Sequence, residues 1–191
     1  MSARERILDA AAEAMRTRGV AGTTTKEIAR VAGCSEPLIY KYFRDKDELL
    51  KFVLSERMPA FSGAPTPGAA TVEANLIDVV HGGLRFYQRG FPMMASIASQ
   101  PTLMAATRDG MRKYDAGPHA VVENLAKYLR AEQGLGRVAA DADPDAVAAL
   151  LMGACFQQGF LRYVADDPEA PQSAAEALVR PLLAHLDPTP S

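Results

Sequence analysis

Residues 24–49 read TTKEIARVAGCSEPLIYKYFRDKDEL, and their cap and turn signals decide the fold. Thr24 and Glu27 have the spacing of a capping box, so a helix is predicted to begin here and to run for about two turns. It ends at Gly33, which can adopt a positive φ without steric cost. Ser35 can then cap a second short helix. Two short amphipathic helices joined by a tight turn predict a helix-turn-helix.

The second helix of this motif is predicted to have one buried face and one exposed face. Ile39 and Phe43 lie four residues apart and bury the helix against the first helix of the chain. Tyr40 and Lys41 must then point elsewhere. In a helix-turn-helix the N-terminus of this helix leads into the major groove of DNA, so residues 35–38 are candidates for contacts with base edges.

Cap and breaker residues divide the rest of the chain into further helices. Alanine occupies 34 positions against 12 Val and 5 Ile, a composition that favours helix over strand. A first helix is predicted to end at Gly19, and a fourth to run from Asp45 to about Met58. A fifth helix is predicted to run from near Thr71 to Gly90. A sixth is predicted to begin at Pro92 and to be interrupted at Pro101. Later helices are predicted from Gly117 to Gly134, from Asp143 to about Val164, and from a capping box at Ser173 to Leu186. About nine or ten helices and no convincing strand predict an all-α protein.

Composition and charge exclude several classes of protein. The 191 residues carry 21 Lys and Arg against 23 Asp and Glu, so no overall positive charge indicates a nucleic-acid partner, although residues 1–51 have a local balance of +2. The two cysteines and three histidines lack the spacing of a metal site, so no metal and no cofactor is predicted. The N-terminus has no signal-peptide core, and no apolar run is typical of a membrane span. We therefore expect a cytoplasmic protein with no membrane partner.

The motif resembles the N-terminal domain of TetR-type transcriptional regulators over about residues 4–52. The resemblance rests on the turn Ala-Gly-x-Ser, on Ile-Tyr-x-Tyr-Phe in the following helix, and on Lys-x-x-Leu at the start of the next. It implies that side chains at the starts of the second and fourth helices and on the third helix hold DNA phosphates or bases. Hydroxyl, ammonium and helix N-terminal amide groups suit phosphate. The predicted DNA-binding residues are Thr25, Lys26, Ser35, Glu36, Pro37, Leu38, Tyr40, Lys41, Tyr42 and Lys46.

Some positions of the motif depart from the family pattern. Glu36 stands where the family often has an amide or a small residue, and its carboxylate can accept a hydrogen bond from cytosine N4 but repels phosphate. Leu38 can offer only apolar contact, for example to a thymine methyl. Cys34 is predicted to be a buried small hydrophobe rather than a redox sensor, because no resolving cysteine is near in sequence. Without the surrounding motif, Tyr40 would be interpreted as an aromatic residue at the edge of the core and Lys46 as a solvated charge in the first turn of its helix. The motif favours contacts of both residues with DNA instead.

The eighth predicted helix is apolar on nearly all sides, so we expect it to be buried on several of them. Its glycines would allow close approach of another helix. The TetR resemblance implies that the last two helices pair with those of a second copy as a four-helix bundle, and the alternative is the central core helix of a monomer. Pro181 should kink the last helix. The predicted dimer interface comprises Gly153, Gly159, Phe160, Val164, Leu178, Leu182 and Leu186.

A group of methionines and aromatic residues falls in the segments expected around a pocket between the fifth and eighth helices. Methionine adapts to varied apolar ligands, so these residues are predicted to bind an apolar or aromatic small-molecule effector. The alternative is plain core packing. The predicted pocket residues are Phe86, Tyr87, Phe91, Met93, Met94, Met104, Met111, Tyr114 and Phe156.

These observations predict a helix-turn-helix DNA-binding domain over residues 1–52, joined by a fourth helix to a helical ligand-binding and dimerisation domain over residues 53–191. The predicted function is a homodimeric transcriptional repressor that binds a palindromic operator in double-stranded DNA and is released by the effector. The alternative is a helical enzyme or small-molecule-binding protein that does not bind DNA. Against an enzyme, the sequence has no nucleophile elbow, Gly-rich phosphate loop, His-Glu-x-x-His motif or paired inward carboxylates, so no catalytic residue is predicted.

Overall fold

The computed structural model describes residues 1–19, 22–57, 61, 65–114 and 117–188, and these ranges contain nine α-helices and no strand. The helices are α1 (Ala3–Arg18), α2 (Thr25–Ala32), α3 (Glu36–Tyr42), α4 (Lys46–Glu56), α5 (Val72–Ala98), α6 (Pro101–Tyr114), α7 (Pro118–Gly134), α8 (Pro144–Val164) and α9 (Gln172–Leu186). The prediction of an all-α protein is confirmed.

The helices of the motif begin and end at the residues that the sequence indicates. The Thr24 hydroxyl accepts a hydrogen bond from the backbone N–H of Glu27 at 3.2 Å and starts α2. Gly33 ends α2 in the left-handed region at φ 64°, the positive φ that the turn requires. The Asp45 carboxylate accepts from the backbone N–H of Glu48 at 2.7 Å and starts α4. α2, the turn and α3 therefore form the predicted helix-turn-helix.

The helix breaks expected at Gly90 and Pro92 do not occur. α5 continues through both residues to Ala98. Met93 and Ile97, one turn apart, are buried beyond the proline. Their packing keeps this part of the chain helical although Pro92 cannot donate a backbone hydrogen bond.

The ends of two other helices also differ from the expected positions. α4 ends at Glu56, and the predicted end near Met58 lies outside the described residues. α9 begins at Gln172 after Pro171 and has no side-chain cap, so the capping box expected at Ser173 does not form.

The chain divides into two compact units, and α5 belongs to both. Unit 1 comprises residues 1–60 and 90–116, and unit 2 comprises residues 61–89 and 117–191. This division differs from the boundary expected after residue 52, because the end of α5 and Leu103 on α6 complete the core of the N-terminal helices. The separation of a DNA-binding from a ligand-binding part stays a prediction.

Each unit has its own set of buried apolar side chains. In unit 1 they include Ile7, Leu8, Met15, Ile28, Ile39, Phe43, Leu49, Met93, Ile97 and Leu103. In unit 2 they include Leu76, Val80, Leu84, Leu125, Leu129, Leu151, Cys155, Val179 and Leu186. The unit 1 core positions the helix-turn-helix.

Candidate nucleic-acid interface

α3 has the two faces predicted for a recognition helix. Ile39 on α3 and Phe43 directly after it are each 1% exposed and pack into the core of unit 1. Tyr40 and Tyr42 expose 50% and 42% of their surface, and Lys41 between them is exposed as well. The two buried side chains fix the rotation of the helix, so that phenol and ammonium groups are accessible to a partner.

The residues at the N-terminus of α3 are accessible to different degrees. Ser35 precedes the helix and is exposed, and its hydroxyl makes no capping hydrogen bond. Pro37 in the first turn is exposed, whereas Glu36 and Leu38 are half-buried. Ser35 and Pro37 are therefore the more accessible of the candidates for contact with base edges.

Two predicted phosphate-binding lysines stand at the starts of α2 and α4. Lys26 is exposed, and Lys46 is half-buried. The carboxylate of Glu27, which follows Lys26, accepts a hydrogen bond from Arg30 at 2.7 Å and forms an ion pair with Arg18 at 3.1 Å. The hydrogen bond from Arg30 holds the pKa of Glu27 down to about 2. The negative charge beside Lys26 is thus already paired with arginine.

A hydrogen-bonded cluster joins α2 to α3 on this surface. Thr25, the first residue of α2, donates its hydroxyl hydrogen to the Glu36 carboxylate. Its oxygen also lies 3.3 Å from the hydroxyl oxygen of Tyr40. Because the Thr25 hydroxyl has one hydrogen and gives it to Glu36, Tyr40 is the donor in the second bond. Three of the predicted DNA-binding residues are therefore brought together.

A second cluster, which the sequence pattern did not predict, holds α3 against its neighbours. The Arg4 guanidinium on α1 lies 5.6 Å from the ring centroid of Phe43 and 4.9 Å from that of Phe52. It also donates hydrogen bonds of 3.0 and 2.7 Å to the two carboxylate oxygens of Glu56. These bonds lower the pKa of Glu56. The cluster connects α1, the end of α3 and α4.

The predicted pocket residues are divided between the two units. Phe86, Tyr87 and Phe156 lie in unit 2. The ring centroid of Tyr87 is 5.2 Å from that of Phe86 and 5.4 Å from that of Phe156. Burial raises the pKa of Tyr87. Met93 is buried in the core of unit 1 and Met104 packs against it. Phe91, Met94 and Met111 are half-buried in unit 1, and the side chain of Tyr114 lies outside the described part of the structure. Met93 is thus core packing, and a pocket built from the whole set stays a prediction.

Two cavities in unit 2 have linings that differ from the predicted pocket. One of about 230 Å³ is lined by Gln88, Arg89, Arg162, Tyr163, Asp166, Asp167 and Glu169. One of about 170 Å³ is lined by Thr71, Glu73, Ala74, Ile77, Asp78 and Gln172. Both are rich in charged and polar side chains, which do not suit an apolar effector.

The predicted dimer-interface residues are found on both faces of the last two helices. On α8, Gly153, Phe160 and Val164 are exposed, whereas Gly159 is buried. A Cβ added at Gly159 would lie 2.8 Å from the Tyr87 Cβ, so this glycine allows close approach of α5 rather than of a second copy. On α9, Leu186 is 2% exposed and belongs to the inside of unit 2, and Leu178 and Leu182 are half-buried.

Within the single chain α8 is buried on one side, so burial on several sides would require a second copy and stays a prediction. Its buried residues recur at helical spacing and leave six large apolar side chains exposed. The exposed ones are Leu150, Phe156, Phe160, Leu161, Tyr163 and Val164. Among the described helices α8 alone is long and apolar enough to cross a membrane, by length and composition only, with a mean hydropathy of 1.2. An apolar helix of a globular protein meets the same criterion, so this feature does not define a membrane span.

The metal-binding side chains of the described residues are scattered. No group of three or more His, Cys, Asp or Glu is close enough there to hold a metal ion.

The sequence matches two family models. Residues 7–53 match the model described as bacterial regulatory proteins of the tetR family, and residues 93–183 match that of the AefR-like transcriptional repressor C-terminal domain. The HTH-type transcriptional regulator SrpR of Pseudomonas putida is 34% identical over 84 residues, which cover 41% of this chain and 39% of SrpR. YvkB of Bacillus subtilis strain 168, named as a regulator of the same type, is 44% identical over 52 residues, or 27% of this chain and 28% of YvkB. The match thus spans less than two thirds of these relatives.

Solved structures share the fold over nearly the whole chain. The reduced form of Escherichia coli NemR superposes with a TM-score of 0.72 at 16% identity and covers 100% of both chains. GusR of Salmonella enterica superposes with a TM-score of 0.67 at 20% identity, over 96% of this chain and 95% of that one.

The fold and the N-terminal motif define a helix-turn-helix transcriptional regulator. With both family models matched, the chain belongs to the TetR family of transcriptional regulators. Its family and relatives are regulators of transcription rather than enzymes.

Proposed function

We propose that the chain is a cytoplasmic, homodimeric repressor that binds a palindromic operator in double-stranded DNA and releases it when a small apolar or aromatic effector binds. The observation that carries the proposal is the exposed face of α3, where Tyr40, Lys41 and Tyr42 are accessible while Ile39 and Phe43 are buried. Phenol and ammonium groups bind phosphate oxygens, and the N-terminus of such a helix enters the major groove.

The exposed apolar face of α8 supports the homodimer. Leu150 and Val164 each expose 64% of their surface, and Leu161 exposes 48%. An apolar face of this kind marks an interaction site, and a two-fold axis would bring the same face of a second copy against it. Such a dimer presents two copies of α3, which accounts for a palindromic operator.

Aromatic side chains in unit 2 support an apolar effector. The rings of Phe61 and Phe86 stack with centroids 5.7 Å apart, and Phe86 also contacts Tyr87. α5 carries Phe86 and Tyr87 and continues into unit 1, so it offers a covalent route from an effector to the DNA-binding helices. A hundredfold loss of operator affinity needs roughly 2.7 kcal/mol of coupling, within the ordinary range for allostery.

A binding titration tests the DNA-binding part of the proposal. Lys26→Ala, Tyr40→Phe and Lys46→Ala combined should weaken binding to labelled duplex DNA and reduce the salt slope by roughly two, because two phosphate-binding lysines are lost. Lys127→Ala is the matched control, since Lys127 is an exposed lysine of unit 2 whose partner is Glu123. An unchanged salt slope in the triple variant would contradict the proposed interface.

A further inference from the structure

The carboxylate of Glu36 occupies a hydrogen-bonding position on the predicted DNA-binding surface. It accepts the hydrogen of the Thr25 hydroxyl, and Tyr40 donates to the oxygen of the same hydroxyl. Thr25 and Tyr40 are two of the residues expected to hold DNA phosphates. In the free protein, therefore, the negative charge bound to Thr25 belongs to the protein itself.

We propose that Glu36 is an internal competitor of the DNA phosphate and lowers the affinity of the protein for non-operator DNA. This inference rests on the proposed function. A phosphate that approaches Thr25 must replace the carboxylate as acceptor and then remains beside a like charge. The carboxylate needs another donor, which the exocyclic amino group of a cytosine supplies in the major groove. A DNA site without a cytosine at this position leaves the Glu36 carboxylate unpaired. Binding to such a site is therefore penalised, and this penalty provides specificity.

The position of Glu36 in the fold allows this role to be separated from a purely structural one. Glu36 is the first residue of α3 and is half-buried, and its bond to Thr25 connects α3 to α2. A glutamine keeps an oxygen that can accept from Thr25 but removes the charge. Glu36→Gln therefore keeps the hydrogen-bond acceptor that connects α3 to α2 and removes the charge, whereas Glu36→Ala removes the charge without adding the N–H donors of an amide.

The test measures binding of a fluorescent duplex of arbitrary fixed sequence to the full-length protein. Glu36→Gln should bind this duplex about fourfold more tightly at low salt, the effect of one like charge about 5 Å from a phosphate in water. The gain should shrink between about 50 mM and about 200 mM salt. Glu13→Gln is the control, because it changes the net charge equally but removes a carboxylate paired with Arg16 on α1. This control should stay within about twofold of the wild type.

Each outcome decides the inference. Tighter binding by Glu36→Gln, and also by Glu36→Ala, supports competition by the charge, and a thermal melt checks that both variants fold. Unchanged binding overturns it and leaves Glu36 as a brace between helices. Weaker binding overturns it too, because Glu36 would then contribute a contact that DNA needs. If the wild type binds no duplex at any salt concentration, the proposed function fails together with the inference. If the wild type binds DNA and Glu36→Gln binds it equally well, only the inference fails.

Discussion

Replacing Gly159 by alanine is expected to destabilise the packing of α8 against α5. The added Cβ would lie 2.8 Å from the Tyr87 Cβ and 2.9 Å from the backbone nitrogen of Gln88, atoms that cannot rotate away. Relieving these contacts requires the helices to separate, and overpacking of this kind costs about 1–3 kcal/mol. The gain in helix propensity on replacing Gly by Ala, about 1 kcal/mol, offsets part of this cost.

Gly90→Ala is the control that separates the steric cost from the gain in helix propensity. It makes the same exchange inside α5, where the added Cβ would meet only the flexible end of Met94 at 3.8 Å. Gly90→Ala should therefore be more stable than Gly159→Ala by about 1–3 kcal/mol. In urea unfolding followed by circular dichroism, the midpoints should differ by about 0.5–1.5 M for a slope of about 2 kcal/mol/M. Both proteins must be compared at one concentration, because the proposed dimer would stabilise the folded state in a concentration-dependent way. Equal midpoints would refute the close contact between α5 and α8.

Three further predictions concern the dimer, the thiols and the Arg4 cluster. Val164→Asp should give monomers in light scattering, because it places a charge on the exposed apolar face of α8. Leu135→Asp should not, because Leu135 follows α7 and lies outside that face, although 56% of its surface is exposed against 64% for Val164. A dimeric Val164→Asp protein would contradict the proposed interface. Burial raises the pKa of Cys155 to about 12, so iodoacetamide at about pH 8 should label only the partly buried Cys34 in the native protein and both thiols after unfolding. Labelling of Cys155 in the native protein, detected by mass spectrometry, would contradict its burial. Arg4→Ala should lower the free energy of unfolding by about 1–2 kcal/mol through loss of the Glu56 pair and the two ring contacts, with Arg4→Lys recovering only part of it. The folded pKa of Glu56 is lowered, so the contribution of the ion pair is present above the ordinary value of 4.5 and is lost as pH falls through the folded pKa. The difference between the urea midpoints of wild type and Arg4→Ala should therefore become smaller in acid, where only the ring contacts of Arg4 remain. A difference that does not change with pH would argue against the ion pair.

The parts of the structure that sequence predicts well are those that local interactions determine. Thr24, Gly33 and Asp45 start or end helices through hydrogen bonds and backbone angles within a few residues, so the helix-turn-helix could be located. Pro92 also gave a local signal, but packing of Met93 and Ile97 in unit 1 overrides it. Tertiary contact of this kind is not visible in local sequence.

The sequence did not predict which face of α8 is buried, and it did not predict the clusters around Thr25 and Arg4. The reasons are related. α8 is apolar on both faces, so its pattern does not distinguish the face of Gly159, which packs inside unit 2, from the exposed face of Val164. The bond between Thr25 and Glu36 spans 11 residues, and that between Arg4 and Glu56 spans 52. Neither pair has a fixed spacing that would mark it. Residue type indicated that Glu36 was unusual, but only the fold shows which hydroxyl it binds.

Whether two copies of α3 bind DNA together can be tested by selecting DNA sites for the purified wild-type protein from a pool of random duplexes. A dimeric repressor should enrich an inverted repeat whose half-sites are one helical turn apart or a multiple of it, because two copies of α3 related by a two-fold axis contact successive major grooves. Binding to the enriched site should be weaker when Lys26, Tyr40 and Lys46 are replaced together. Enrichment of no inverted repeat would contradict the account of a dimeric repressor that reads DNA with α3.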